Sequence, residues 1–428
     1  MLRNKILQIQ EYIYKNVFFK NILVAASGTI FAQSIGLITT PIITRIYTPN
    51  DYGMFSAILA VVMVLSSVST LRYEIAIPIE RDLNNIFSLV KLCLLITLLI
   101  SALVFLTIIF FSEPISNFLD LKDSKGLLFL IPVLFLINSF FKIFNFVNVR
   151  FKAFKFISKV KVIQSLLASA IKISFGILGF NYLGLVYGNL GQETLGVFAF
   201  YSKFKKKGLK LFRLDDINSI KNLAIKYSKF AKYQTPSQLL LSVSQRLPTL
   251  FIVAIFSSKE LGYFSLAFGM LSLPINLIGS SVSNVFYSEI SEIGTDDSKK
   301  IYSLSVNVLK KLFAIGIFPT VVILLFGSDI FSYVFGEQWL IAGELAELLI
   351  VLILIRFVAS PIMSCLNLYG MQSFQLKVNA LRLTILLITF YIVDYLNFNL
   401  HTVILVFVTI SCLIYLYQTL IVLQKIKK

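Results

Sequence analysis

The chain has 428 residues, 57% of them hydrophobic and only 14% charged, with a mean hydropathy of +0.85 and a formal net charge of +18. Soluble domains carry roughly a quarter of their residues as charges, so this balance excludes an ordinary soluble enzyme and reads as a polytopic membrane protein. One histidine, His401, and three cysteines inside apolar runs, Cys93, Cys365 and Cys412, leave no ligand set for metal catalysis and no disulfide framework.

In chain order, residues 1–20 lack the short apolar core of a signal peptide. They read as an amphipathic helix on the cytoplasmic face, with Ile6, Ile9, Ile13 and Val17 at helical spacing. Apolar runs then predict spans near 21–45, 51–78, 84–111, 126–149, 160–178 and 181–200, a first lobe of six helices over 21–200. A basic cytoplasmic linker, 201–227, contains Lys205, Lys206 and Lys207. Spans near 228–256, 260–288, 302–326, 339–367, 374–394 and 399–424 form a second lobe over 228–428. Pro41, Pro78, Pro132, Pro248, Pro274, Pro319 and Pro361 fall inside spans, where each removes a backbone donor and predicts a local bend.

Basic residues in the connections and at the adjoining span ends fall almost entirely on one side: Arg81, the cluster from Arg150 to Lys161, the 201–227 linker, Lys299, Lys300, Lys377 and both termini. The opposite connections hold only Lys122, Lys125 and Lys259. The positive-inside rule therefore predicts cytoplasmic termini. Basic loops facing anionic lipid account for the net charge, and nucleic acid is not an expected partner.

The chain repeats itself. IYTPNDYGMFS at 46–56 matches IFSSKELGYFS at 255–265, with Ile46, Gly53, Phe55 and Ser56 recurring as Ile255, Gly262, Phe264 and Ser265. SEPISNFL (112–119) returns as SDIFSYVF (328–335), and KFISKVKV (155–162) as SFQLKVNA (373–380). Because each half has an even number of predicted spans, the halves share one orientation, related by a pseudo-two-fold axis along the membrane normal.

Ionisable groups inside spans are costly and mark functional candidates. The basic ones are Arg45, Arg72, Lys91, Lys142, Lys172, Arg246, Lys310, Lys311, Arg356 and Arg382. The acidic ones are Glu74, Asp394, Glu344 and Glu347. Arg246 and Arg356 lie ten or eleven residues from a span end, about 15 Å in, and are the leading cavity cations; Arg72, Lys172 and Arg382 follow. Lys91, Lys142, Lys310 and Lys311 are close enough to the cytoplasmic end to snorkel. Arg72 and Glu74 are two apart, so on a regular helix they point about 200° away from one another and form no local pair. Glu74 is left as a partner across helices, a coupling site for a cation or proton, or a structural cap near Pro78. Gln33, Gln234, Gln238 and Gln245 occupy or flank the first helix of each half, where amides suit sugar hydroxyls or interhelical bonds; Gln33 and Gln245 are the sugar-contact candidates. No Ser/His/Asp set or phosphate-cradling glycine loop accompanies them. Excess base over acid within the spans points to an anionic passenger.

The stretch PIITRIYTPNDYGMF (41–55), followed by TLRYEIAI (70–77), resembles the N-terminal signature of bacterial polysaccharide biosynthesis membrane proteins. These are the O-antigen and capsule repeat-unit flippases of the multidrug/oligosaccharidyl-lipid/polysaccharide exporter superfamily. The resemblance implies an all-α, MATE-like pair of six-helix lobes around a cavity in the bacterial inner membrane. It implies an undecaprenyl-diphosphate-linked oligosaccharide as cargo, membrane lipids as surroundings, and a polysaccharide polymerase and chain-length regulator as pathway partners. It implies no cofactor and no enzyme activity; proton or sodium coupling stays open. A cation-coupled multidrug exporter of the same fold is the alternative, but it would place acids in the cavity. A membrane polymerase or ligase would carry a large outward loop, whereas the longest here, 112–125, has about fourteen residues.

Overall fold

The computed structural model describes residues 27–206, 217–294 and 297–427. The amphipathic segment expected over 1–20, and the lysine run within the linker, lie outside the described residues or where no side chain is described. All regular structure in the described residues is helical. The helices are α1 (Ser27–Ile46), α2 (Pro49–Ser66), α3 (Leu83–Phe118), α4 (Leu130–Arg150), α5 (Phe154–Ile177) and α6 (Asn181–Lys206). There follow α7 (Ile217–Lys226), α8 (Thr235–Ile255), α9 (Ser258–Pro274), α10 (Ser280–Ile293), α11 (Ser298–Phe335), α12 (Leu340–Ala359), α13 (Cys365–Leu368), α14 (Gln372–Tyr395) and α15 (Leu400–Lys427).

Among the described residues, 10 helical segments are long and apolar enough to cross a membrane. The protein is a multi-pass membrane protein. Two further predicted spans fall on α6 and α12, whose apolar character is interrupted by Asn189, Gln192 and Glu193 in one and Glu344, Glu347 and Arg356 in the other. Helix α12 shows why such groups are tolerated. Leu345, Ala346, Leu349 and Leu352 are fully buried, while Glu347 accepts from Ser328 N and Glu344 pairs with His401, so these carboxylates have protein partners.

The chain packs as two compact units. The first takes the described residues up to Thr40, with Leu65–Phe110 and Phe129–Pro236; the second takes Pro41–Val64, Phe111–Leu128 and the chain from Ser237 onward.

In the first unit, α2 ends at Ser66 and the backbone turns sharply before a short 3-10 segment, Tyr73–Ala76. Leu71 (φ 48°) and Arg72 (φ 64°) occupy the left-handed region, which costs a non-glycine residue energy unless its surroundings hold it there. Tyr73, Ile77, Ile86, Leu89, Val90, Ile143 and Val147 form a core at this point, and Leu223 of α7 is buried among them. Helix α7 is thus docked: the Tyr73 hydroxyl donates to Ala224 O (3.0 Å), and the Ser88 and Ser219 hydroxyls pair at 3.0 Å. Helices α5 and α6 meet through small residues, Gly188 lying under the Lys172 stem and Gly191 against Ile171.

In the second unit, α12 lies against α9, α11 and α15. Below it Phe286, Ile290, Ile301, Ile362, Cys365, Leu366, Val422 and Ile426 form a core. Cys93, Cys365 and Cys412 are free and buried. The sequence repeat has a structural counterpart in two broken helices. Helix α3 loses helical geometry at Phe111 (φ −122°, ψ 28°), and α11 at Phe326 (φ −135°, ψ 17°), each just before its copy of the SEPISNFL/SDIFSYVF segment. In α11 an N–H near the break is bound, Ser328 N donating to Glu347 Oε1 at 2.8 Å.

Candidate functional site

The two copies of the opening repeat meet within the second unit, forming what we call the rim. A Cβ at Gly53 would collide with the carbonyl oxygen of Ser258, and one at Gly262 with that of Pro49, so α2 and α9 touch backbone to backbone. The loops after the two broken helices complete the rim in a crossed fashion. Asp120 Oδ2 accepts from Ser258 N (2.7 Å), capping α9, while Gln338 Nε2 (2.7 Å) and Trp339 Nε1 (2.8 Å) donate to Thr44 O at the end of α1. Each loop therefore holds the repeat copy belonging to the other half of the sequence. Trp339 is fully buried, edge-on to Tyr52 and Tyr263.

Four helices of the second unit bring cations and aromatics together. Arg382 of α14 donates from Nη1 to the Tyr415 hydroxyl of α15 at 3.0 Å, and its guanidinium lies 5.0 Å from the Tyr415 ring centroid. Arg356 of α12 lies 6.0 Å from the same ring and 5.4 Å from Phe268 of α9. Neither arginine has a carboxylate partner among the described residues, and Arg382 Nε is buried with no acceptor. Aromatic faces hold a guanidinium in place without neutralising it. The donors stay available for an oxyanion, and phosphate suits their paired geometry. Arg246 is half-buried on α8, with no bonded partner among the described residues, and Gln245 beside it is exposed.

The first unit holds the remaining candidates in a different state. Glu74 is fully buried and accepts from the Thr70 hydroxyl; Lys142 Nζ lies 2.7 Å and Arg72 Nη1 3.5 Å from its Oε1. The regular helix that would separate Arg72 from Glu74 is absent, because the left-handed pair Leu71–Arg72 turns the arginine back, and the two form a local pair after all. Lys142 does not snorkel: besides Glu74, it reaches Ser66 O at 3.4 Å. These charges neutralise one another, so they suit structure better than an anionic guest. Lys172 has its stem over Gly188, and Gln33 Oε1 is buried without a donor.

Outside the spans, Glu80 binds Lys226 Nζ (2.6 Å) and the Tyr227 hydroxyl (2.9 Å), and its backbone carbonyl accepts from Arg150 Nε (2.9 Å). The Lys226 hydrogen bond, against the opposing effect of burial and with help from Tyr227 and two backbone N–H groups, holds the Glu80 carboxyl down at about 2.

Sequence reasoning passes over three residues. Tyr415 and Phe268 look like any aromatic residue in an apolar run and give no signal. Glu193 does give one, as a carboxylate in LGQETLG within predicted span 6.

Comparison with known proteins places this architecture. Residues 42–344 match the family described as polysaccharide biosynthesis protein. The chain belongs to that family. It is a multi-pass membrane protein of polysaccharide biosynthesis. A Klebsiella pneumoniae protein named "Uncharacterized membrane protein in cps region" is 21% identical over 83% of this chain and 72% of its own length. The lipopolysaccharide biosynthesis protein WzxC of Escherichia coli K12 is 22% identical over 84% of this chain and 71% of its own. Among solved structures, the lipid II flippase MurJ in an inward closed conformation aligns with a TM-score of 0.68 at 17% identity, covering 95% of this chain and 88% of MurJ. An inward-facing multidrug resistance MATE transporter of the MOP superfamily aligns at 0.67 and 16%, covering 92% and 94%. The fold of this family member is therefore the all-helical MATE/MurJ type.

Proposed function

We propose that the protein flips undecaprenyl-diphosphate-linked O-antigen or capsule repeat units from the cytoplasmic to the periplasmic leaflet of the bacterial inner membrane, by alternating access. The rim faces the periplasm and the termini the cytoplasm. The observation that carries this reading is the Arg356–Tyr415–Arg382 cluster, two permanent cations against one tyrosine with no carboxylate partner among the described residues. A diphosphate and polar sugars cannot cross hydrocarbon unaided and require a cationic, hydrated path. Arg246 adds a further cation within the same unit; Lys172 and, to a lesser degree because Glu74 occupies it, Arg72 are the candidate cations of the first unit, and Gln33 and Gln245 are the candidate amides for sugar hydroxyls. Membership of a polysaccharide biosynthesis family supports a lipid-linked sugar over a cationic drug. The pathway's polymerase and chain-length regulator are the expected partners.

The test uses a deletion strain complemented with variants. Arg356→Ala and Arg382→Ala should abolish surface polysaccharide and accumulate lipid-linked repeat units in the cytoplasmic leaflet, with normal protein levels. Lysine at either position should restore only part of the output, since it lacks the planar fork. Wild-type polysaccharide from both alanine variants would sink the assignment.

A further inference from the structure

Helix α6, on which predicted span 6 falls, carries a carboxylate that the cation cluster does not use. Glu193 lies twelve residues from the start of α6, about 18 Å along the helix. Its Oε1 accepts one long hydrogen bond, from Asn138 Nδ2 of α4 at 3.4 Å, and its Oε2 is buried with no partner. Among the described residues no cation lies within salt-bridge distance of it.

The neighbours explain its isolation. Gln164 of α5, near Gly196 on the next turn, spends its Nε2 on Gln192 O at 2.7 Å. On α4, Lys142 is committed to Glu74 and Ser66, and Arg150 to the Glu80 carbonyl. On α5, Lys161 donates to Thr29, and Lys155 and Lys159 sit in its first two turns. Lys172 lies over Gly188, about 140° around α6 from Glu193 at 100° per residue. On α6 itself, Lys203 sits over the Phe156 ring, and Tyr187 packs on Phe175. Glu74 has two cations and a hydroxyl, whereas Glu193 has one weak donor. A buried charge without a counter-ion is among the costliest arrangements a protein can hold, and the group escapes it by taking a proton.

We propose that Glu193 is a proton-binding site of the transport cycle. Its carboxylate takes one proton from hydronium, releasing water, in the buried conformation described here, and returns that proton to water when α6 becomes hydrated. One proton bound and one released per cycle couples substrate movement to a proton gradient. A sodium ion fits less well, because Asn138 presents an N–H and the site then offers a single carboxylate oxygen where a metal needs several. The meaning for transport rests on the flippase reading above, but the proton-binding step does not.

The test separates the two. Infrared difference spectroscopy on the full-length protein in vesicles, titrated through neutral pH, should show a protonated-carboxyl band that disappears in Glu193→Gln and persists in Glu74→Gln and Arg356→Ala. Glu193→Gln is nearly isosteric and keeps the Asn138 contact, so its melting temperature should match wild type while surface polysaccharide is lost. Glu193→Asp should retain the band and part of the output. A band present in wild type with polysaccharide unaffected by both Arg356→Ala and Arg382→Ala would leave the proton site standing and remove the flippase reading. Two results overturn the proton site: a spectrum unchanged by Glu193→Gln, or a titration that shifts when sodium chloride replaces choline chloride at equal ionic strength; full polysaccharide output from that variant overturns its place in the transport cycle.

Discussion

Tyr415 illustrates how one hydroxyl decides what a pair of arginines does. It holds Arg382 by a hydrogen bond and offers a ring to both guanidiniums, fixing two like charges without a carboxylate. Tyr415→Phe should keep the ring contacts and lose the bond, a cost of about 0.5–1.5 kcal/mol, seen as a small fall in melting temperature and a partial fall in polysaccharide output. In the first unit the balance is reversed. Glu74→Gln leaves Lys142 without its counter-charge in a buried site, where breaking a pair costs about 3–5 kcal/mol, so the melting temperature should fall much further than for Tyr415→Phe. Glu80 supplies a pH signature. Its carboxyl titrates at about 2 in the folded protein and near 4.3 when unfolded, so the folded state releases that proton more readily. The stability it contributes is complete above the unfolded value and fades as pH falls toward 2. The melting difference between wild type and Glu80→Gln should be flat from neutral pH to about 5 and shrink below it. At this scale the sequence is a partial guide: Arg356 and Arg382 stand out as lone charges in apolar runs, but the tyrosine between them does not. The Arg72–Glu74 pair was unreadable because neither Leu71 nor Arg72 is a residue that announces a left-handed turn.

Among the elements, α7 is the one whose placement the sequence least discloses. Composition marks 201–227 as a basic linker, and composition is blind to Leu223 entering a core built by Tyr73, Ile77 and Leu89. The contact is testable: cysteines in place of Ser88 and Ser219, whose hydroxyls are 3.0 Å apart, should form a disulfide in membranes under mild oxidation. Yield should drop when Glu80→Gln removes the nearby Lys226 pair. The spans themselves were legible because lipid demands long apolar runs. The broken helices at Phe111 and Phe326 were legible only indirectly, through the repeated segments that follow them, since Pro114 accompanies one break and Gly327 the other.

For the whole molecule, the repeated motif proved to be a contact with itself. Gly53 and Gly262 let two backbones touch, and the Asp120 and Trp339 loops lock the arrangement from opposite sides. The sequence placed these copies at equivalent turns on one face but could not say that they meet, because a glycine serves a tight turn and a close approach equally well. Gly53→Val should force α2 and α9 apart, an overpacking cost of about 1–3 kcal/mol or more, and reduce polysaccharide output with membrane insertion preserved. The rim also contains the chain's single tryptophan, fully buried at Trp339. Intrinsic emission from the unmodified protein is therefore an optical gauge of one place alone: a red shift on parting of the rim, larger in Gly53→Val than in wild type, would let transport be followed in real time without attaching a dye.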